Sequence, residues 1–212
     1  MKDRDAAAPG SHTEKDRNAT PKTPGGQVHL DTSRLVLRAA RTEDAESLNE
    51  AFKDPEVMRY WSEPAHSSKA RTEEWVSGMV GGSQNGLTDF VICLKPDMMS
   101  IGKIGVWQDQ EIGFLLAKRH WGKGLAFEAL QIILPYLFGT AGFSFLTADI
   151  DPRNKASEGL LRKVGFELDG YQERSMQIGN EWVDSQYLKL TKARWEQICL
   201  GAATDFEKAQ AW

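Results

Sequence analysis

The first regular pattern along the chain is Arg-Leu-Val-Leu-Arg at residues 34–38, where apolar and basic positions alternate with a period of two, predicting a strand. A helix is predicted from Thr42, a residue able to cap, with Glu43 and Asp44 in the first turn, where the helix dipole favours acid. Residues 54–61 predict a turn and a short helix, and 67–80 a longer helix ended by Gly81-Gly82. Three further strands are expected at 89–95, 100–107 and 111–117, with turns marked by Pro96-Asp97 and Gln108-Asp109, a spacing that suggests an antiparallel meander. A long helix from about Gly122 to Phe138 and a strand at 144–150 complete a strand-helix-strand crossover. A helix over 154–164 closes at Gly165, strands fit 166–174 and 181–190, and the chain turns helical again from Arg194, fraying beyond Gly201. Pro135, inside the long helix, cannot donate a backbone bond and is expected to kink the last turns. The reading is α/β (α+β): a mixed, mostly antiparallel sheet with helices on both faces.

Residues 1–29 break the pattern, with mixed charge, three prolines, three glycines and almost no large apolar side chain. Such a segment cannot offset its ordering entropy by burial and reads as a disordered tail, leaving one domain over 30–212. Composition then narrows the class. Apolar residues make up 41% and charged residues 26% of the 212, the balance of a globular protein that can bury a core. No apolar run approaches a membrane span or a secretory core, so a cytoplasmic protein with no membrane partner is expected. Cys93 and Cys199 are too far apart to suggest a disulfide framework, and His12, His29, His66 and His120 form no ligand-like spacing, so no metal is expected. The net charge is −4, and the tail carries five basic against four acidic residues, leaving about −5 for the body. Nucleic acid is therefore not expected as a partner.

Against that acidic body, Arg119-His120-Trp121-Gly122-Lys123-Gly124 stands out as basic and glycine-rich at a strand-to-helix junction. Glycines there let several N–H groups converge, and the helix start adds about half a positive charge, so an anion such as a pyrophosphate is the natural guest. A P-loop would need Lys-Ser or Lys-Thr after the second glycine, but Leu125 follows Gly124. A dinucleotide fingerprint would need glycine where Phe127 stands. What remains is Arg-x-x-Gly-x-Gly, which taken alone also fits a plain tight turn before a helix.

That pattern resembles the acetyl-CoA pyrophosphate loop of the GNAT N-acetyltransferases, and four neighbouring segments resemble the RimJ/RimL-like branch in order. They are 34–61, Ile101-Gly-Lys-Ile-Gly-Val106, Glu111-Ile-Gly-Phe-Leu-Leu116, and 151–170 with its Asn154-x-x-Ser157 helix and Lys163-Val-Gly-Phe166 ending. The resemblance runs from about Leu35 to Trp195 and implies a sheet splayed between the strands at 111–117 and 144–150. It also implies acetyl-CoA as co-substrate and transfer of its acetyl group to an amine. By resemblance, Gly122 and Gly124 open the loop amides, Arg119 and Lys123 lend charge, and Leu125 and Ala126 begin the helix. Leu115 and Leu116 offer backbone to the pantetheine amides, and Asn154 touches the pantetheine arm.

For catalysis the resemblance implies Glu111 as base or water anchor, unless it is simply a solvated edge charge; Asp149 and Asp151, flanking the end of the strand at 144–150, are alternatives, Asp151 before Pro152 also fitting a plain turn start. Many family members carry a tyrosine as acid where this chain has Leu161. Ser157 is then the candidate donor to the departing thiolate, or else a packing residue. Tyr60, Trp61 and Trp121 are candidates to wall an acceptor pocket. The expected acceptor is a primary amine, either a protein N-terminus or a small molecule, and the protein a monomer or homodimer. A catalytically silent acyl-CoA-binding regulatory module is the alternative, and a structural module without the ligand a third reading.

Overall fold

The computed structural model describes residues 28–82, 88–178 and 181–210. Most of the expected tail, residues 1–27, lies outside them, but His29 at its boundary does not belong to a tail: it opens strand β1 (His29–Asp31) and pairs with Arg38. Strands β2 (Leu35–Arg38), β3 (Asp89–Leu94), β4 (Met99–Val106) and β5 (Ile112–Leu116) continue from β1 in spatial order as one antiparallel sheet. A second antiparallel sheet has the order β6 (Phe145–Ile150), β8 (Glu181–Thr191), β7 (Glu167–Ile178). The splay expected between the strands at 111–117 and 144–150 is present: the two sheets join at a single parallel bridge, Glu111 to Thr147, after which β5 and β6 make no further pairing among the described residues.

Period-two alternation sorts the side chains onto two cores. Leu35, Leu37, Phe90, Ile92, Ile112 and Leu116 face helix α3 (Leu125–Pro135) together with Leu146, Ala148 and Ile150 of β6, while Val36, Val91, Cys93, Leu115 and Ala117 face the other side. There they meet helices α1 (Asp44–Phe52) and α2 (Lys69–Gly82), with Leu48, Phe52 and Val76 buried. Each such fully buried Leu, Val or Phe contributes about 1.5–3 kcal/mol, which is what fixes the helices to their faces. Helix α4 (Lys155–Lys163) adds Leu161 to the first core, and α5 (Lys192–Gln210) stacks Trp195 on Phe138. Among the described residues no helix is long and apolar enough to cross a membrane.

Local chemistry departs from expectation at the starts of two helices. The Thr42 hydroxyl turns to the Glu43 carboxylate and does not cap α1. Asp44 instead is buried and accepts two bonds from Arg38, at 2.7 Å each, one from the Arg41 amide and one from Ser100, tying β2, α1 and β4 together. The long helix starts only at Leu125, because Gly122 and Gly124 have φ of +70° and +75°. Its far end loosens into a π turn (Tyr136–Thr140) directly after Pro135, which cannot donate the bond an α-helix needs.

Candidate active site

The glycine loop is shaped by backbone geometry that other residues adopt only with strain. Gly124, in the left-handed region, is the residue before α3, and a Cβ on it would meet only the Arg34 guanidinium at 3.7 Å; a Cβ on Gly122 would meet nothing within 4 Å. The loop therefore presents open space beside the first-turn N–H groups of α3, which have no acceptor within the helix. Arg34, near the start of the domain expected at 30–212, holds the loop from outside. Its Nε donates to Glu128 Oε2 at 2.6 Å, its second guanidinium nitrogen lies 2.5 Å from the same oxygen, and the third donates to the Lys123 carbonyl at 2.9 Å. Thr32 donates to the other Glu128 oxygen. Burial would raise the Glu128 pKa, but the Thr32 and Arg34 bonds outweigh it and hold the carboxyl below its ordinary value. This clamp was not legible in the sequence, since its partners lie 94 residues apart.

The register of β5 decides which backbone groups face the gap toward β6. Ala117 donates to the Ile101 carbonyl and Trp107 to the Glu111 carbonyl, so the odd-numbered residues of this stretch turn their N–H and C=O toward β4. Leu115 is thus paired across to Lys103, and its side chain lies in the core under α1 and α2. Phe114 and Leu116 are the residues whose backbone faces the gap. Of Leu115 and Leu116, both expected to offer backbone to a pantetheine arm, only Leu116 turns its backbone to the gap, and its carbonyl accepts the Trp121 indole N–H at 2.8 Å.

Across the gap, Asn154 caps α4, its Oδ1 accepting the Ser157 amide at 3.1 Å. Two cavities meet here. The first, about 440 Å³, is lined by Leu115, Leu116, Gly122, Gly124, Leu125 and Ala126 on one side and Asn154 and Ser157 on the other. The second, about 180 Å³, is lined by Glu111, Gly113, Asp149, Asp151, Leu161, Asp184 and Ser185. Tyr60, Trp61, Phe114, Asn154 and Ser157 line both, so the cavities adjoin at these side chains. Trp121 lines only the first.

Two sequence candidates stand outside both linings. Arg119 pairs with Glu50 at 3.1 Å and donates to His120 Nε2 at 3.0 Å, and Lys123 contributes its carbonyl to the Arg34 clamp. His120, in contrast, is buried and lines the first cavity; burial, then Arg119 and Lys123, lower its pKa and keep the ring neutral.

In the second cavity the carboxylates differ in their commitments. Asp151 is held by Arg153 at 2.9 and 2.5 Å, and Asp184 accepts from Tyr171 and from the Arg174 amide. Glu111 sits exposed at the start of β5. Asp149, half-buried, accepts from Ser185 at 3.0 Å, and Ser185 in turn accepts from Ser175 at 2.6 Å. Burial pushes the Asp149 carboxyl above its ordinary value against the opposing pull of the Ser185 bond.

Residues 34–167 match the family model described as the acetyltransferase (GNAT) domain. The chain is 28% identical to an uncharacterised N-acetyltransferase, YnaD, of Bacillus subtilis, over 79% of this chain and 99% of that protein. It is 27% identical to the ribosomal protein uS5-alanine N-acetyltransferase of Escherichia coli, over 80% of this chain and 93% of that one. A solved GNAT-family acetyltransferase from Bacillus anthracis superposes with a TM-score of 0.70 at 26% identity, covering 78% of this chain and 99% of the other.

Proposed function

Because the chain belongs to the GNAT family of acetyltransferases, we propose that it moves the acetyl group of acetyl-CoA directly onto a primary amine, either the N-terminus of a protein or a small molecule. The observation that carries this reading is the junction of the two cavities at Phe114, Trp61, Asn154 and Ser157. One side has the loop, helix start and strand edge suited to a phosphorylated, amide-bearing arm; the other has carboxylates suited to an ammonium.

The residues fit acetyl-CoA. The space beside Gly122 and Gly124 would take the pyrophosphate against the first-turn amides of α3, where the helix dipole adds favourable charge. Phe114 and Leu116 would pair with the pantetheine amides, and Asn154 would flank the arm while capping α4. Acetyl-CoA supplies an acyl group already activated by a thiol leaving group. The remaining tasks of the chain are orientation, proton removal and stabilisation of charge on sulfur. Glu111, at the rim of the second cavity, would receive the ammonium or anchor water, and the Ser157 hydroxyl would donate to the departing sulfur.

The test combines binding and turnover. Acetyl-CoA at about 100 times its Kd should stabilise the fold by roughly 2.7 kcal/mol, and Gly124→Glu should abolish this by placing a side chain and a negative charge in the loop. Free CoA should appear when primary amines are added. A melting temperature unmoved by acetyl-CoA in the wild type would overturn the reading.

A further inference from the structure

We propose that Asp149 is the group that takes the proton from the acceptor's ammonium, held in place for this by Ser185 and Ser175. The inference rests on the acetyl-transfer reading above and goes beyond it by choosing among the carboxylates of the second cavity.

Strand parity places the residue. Leu146, Ala148 and Ile150 of β6 are buried in the core beneath α3, so Thr147 and Asp149 project from the opposite face. On β5, Ile112 and Leu116 share that core, so Glu111 and Gly113 project to the same side as Asp149. The parallel bridge pairs Glu111 with Thr147, which sets Gly113 across from Asp149 where the strands part. Gly113 carries no side chain there, and a Cβ on it would lie 3.5 Å from the Trp61 ring. The Asp149 carboxylate therefore borders the same cavity of about 180 Å³ that Gly113 and the Trp61 ring line.

The neighbours single it out by elimination. Among the carboxylates lining this cavity, Asp151 already has the Arg153 guanidinium and Asp184 the Tyr171 phenol and a backbone amide. Glu111 is exposed at the mouth. Among the described residues Asp149 pairs with no cation, and the Ser185 hydroxyl donates to its Oδ2, so Oδ1 is left for a guest. Ser185 is buried, and Ser175 donates to it from the irregular stretch of β7 between Gln172 and Met176. Strands β7 and β8 thus form a two-hydroxyl chain, Ser175 to Ser185, that ends in one donor on the carboxylate. Other titratable or charged groups facing the site are Tyr60, Arg153 beyond β6, and Tyr187, the cross-strand partner of Asp149 on β8. Burial raises the Asp149 pKa toward that of an amine, which favours proton transfer at neutral pH.

The ammonium gives one proton to Asp149, and its freed lone pair attacks the thioester carbonyl carbon. The C–N bond forms, the C–S bond breaks, and the sulfur leaves with the bond pair. A second proton from nitrogen ends on sulfur, beside the Ser157 hydroxyl, and the third stays on the amide. The proton on Asp149 returns to solvent through the mouth at Glu111.

The experiment is a pH profile of kcat/KM, read as CoA release from acetyl-CoA, with an alanyl-terminated hexapeptide and with 1,4-diaminobutane as probes. Asp149→Asn should lower kcat/KM by about 10²–10⁴ and erase the acidic limb, while the Kd for acetyl-CoA stays within about twofold. Ser185→Ala should keep the limb but move it to higher pH, because the lost donor favoured the ionised carboxylate; Ser185→Thr should restore it. A packing role for Ser185 would leave the limb in place. Independently of turnover, a carbon-13 titration of the Asp149 carboxyl, assigned by its loss in Asp149→Asn, should give a pKa above the ordinary range that rises further in Ser185→Ala. An ordinary Asp149 pKa, an unmoved limb in Ser185→Ala, or wild-type turnover in Asp149→Asn each overturns the proposal. A wild type that neither gains stability from acetyl-CoA nor releases CoA instead overturns the acetyl-transfer reading beneath it.

Discussion

Replacing Arg34 with methionine removes the clamp on the glycine loop while keeping a side chain of similar reach. The wild-type guanidinium makes two contacts to Glu128 Oε2, at 2.6 and 2.5 Å, and one to the Lys123 carbonyl at 2.9 Å. Hydrogen bonds to charged groups contribute about 1.5–3 kcal/mol where water is excluded. The Glu128 side chain is 16% exposed but that of Arg34 is 48% exposed, so solvent screens the set and we expect a loss of roughly 1–2 kcal/mol. For a domain of this size that is a fall in Tm of about 2–8 °C. The same loss of loop order should weaken acetyl-CoA binding about 5- to 30-fold, since the ligand must then order Gly122–Gly124 itself. Thermal unfolding and calorimetric titration with acetyl-CoA read the two effects separately. A cycle with Glu128→Gln should show coupling of about 1 kcal/mol. The sign with pH also follows: the Glu128 pKa is lowered by folding, so the clamp's contribution is present above the unfolded carboxylate pKa and fades as pH falls through the folded value. If Arg34→Met lowers Tm as expected yet leaves the acetyl-CoA Kd unchanged, the clamp stabilises the fold without shaping the loop and the reasoning fails.

Ser157→Ala should lower kcat by less than about 10²–10³ with CoA affinity intact, and adding Leu161→Tyr should recover part of the rate, because Leu161 lines the same cavity as Ser157; a wild-type kcat in the alanine variant would make the hydroxyl a packing element. Glu111→Gln should raise the KM of a cationic amine several-fold while leaving the acidic limb of the pH profile where Asp149 sets it; a lost limb would transfer the proton to Glu111. Asp44→Asn should cost about 3–5 kcal/mol by leaving the buried Arg38 unpaired, measured by denaturant unfolding. Burial would raise the Asp44 pKa, but its bonds from Arg38, Ser100 and Arg41 lower it on balance. Wild-type stability should therefore hold above about pH 4 and decline as acid titrates the folded carboxylate, a decline that Asp44→Asn should flatten.

The order and type of the elements were legible because they rest on local periods. Alternation at 34–38 marked β2, apolar runs at 89–95 and 111–117 with turn residues between them marked β3 and β5, and paired glycines before an apolar helical stripe marked the loop and α3. A period of two also tells which side chains share a face, and Leu35, Leu37, Val36 and Val91 fell on the two faces as alternation requires. It does not tell which edge of a strand the N–H and C=O groups address, because that parity is set by the register with a partner strand. Leu115 could therefore be placed in β5 from sequence, while its backbone pairing with Lys103 in place of the gap could not. The same holds for side chains that act through distant partners. Arg119 looked like a loop cation and is drawn off to Glu50, Arg34 looked like a strand end and clamps Glu128, and Asp149 and Asp151 are set apart by Ser185 on one and Arg153 on the other. Sequence carries the charge of each group; which charges are compensated depends on neighbours that only the folded chain brings within hydrogen-bonding distance.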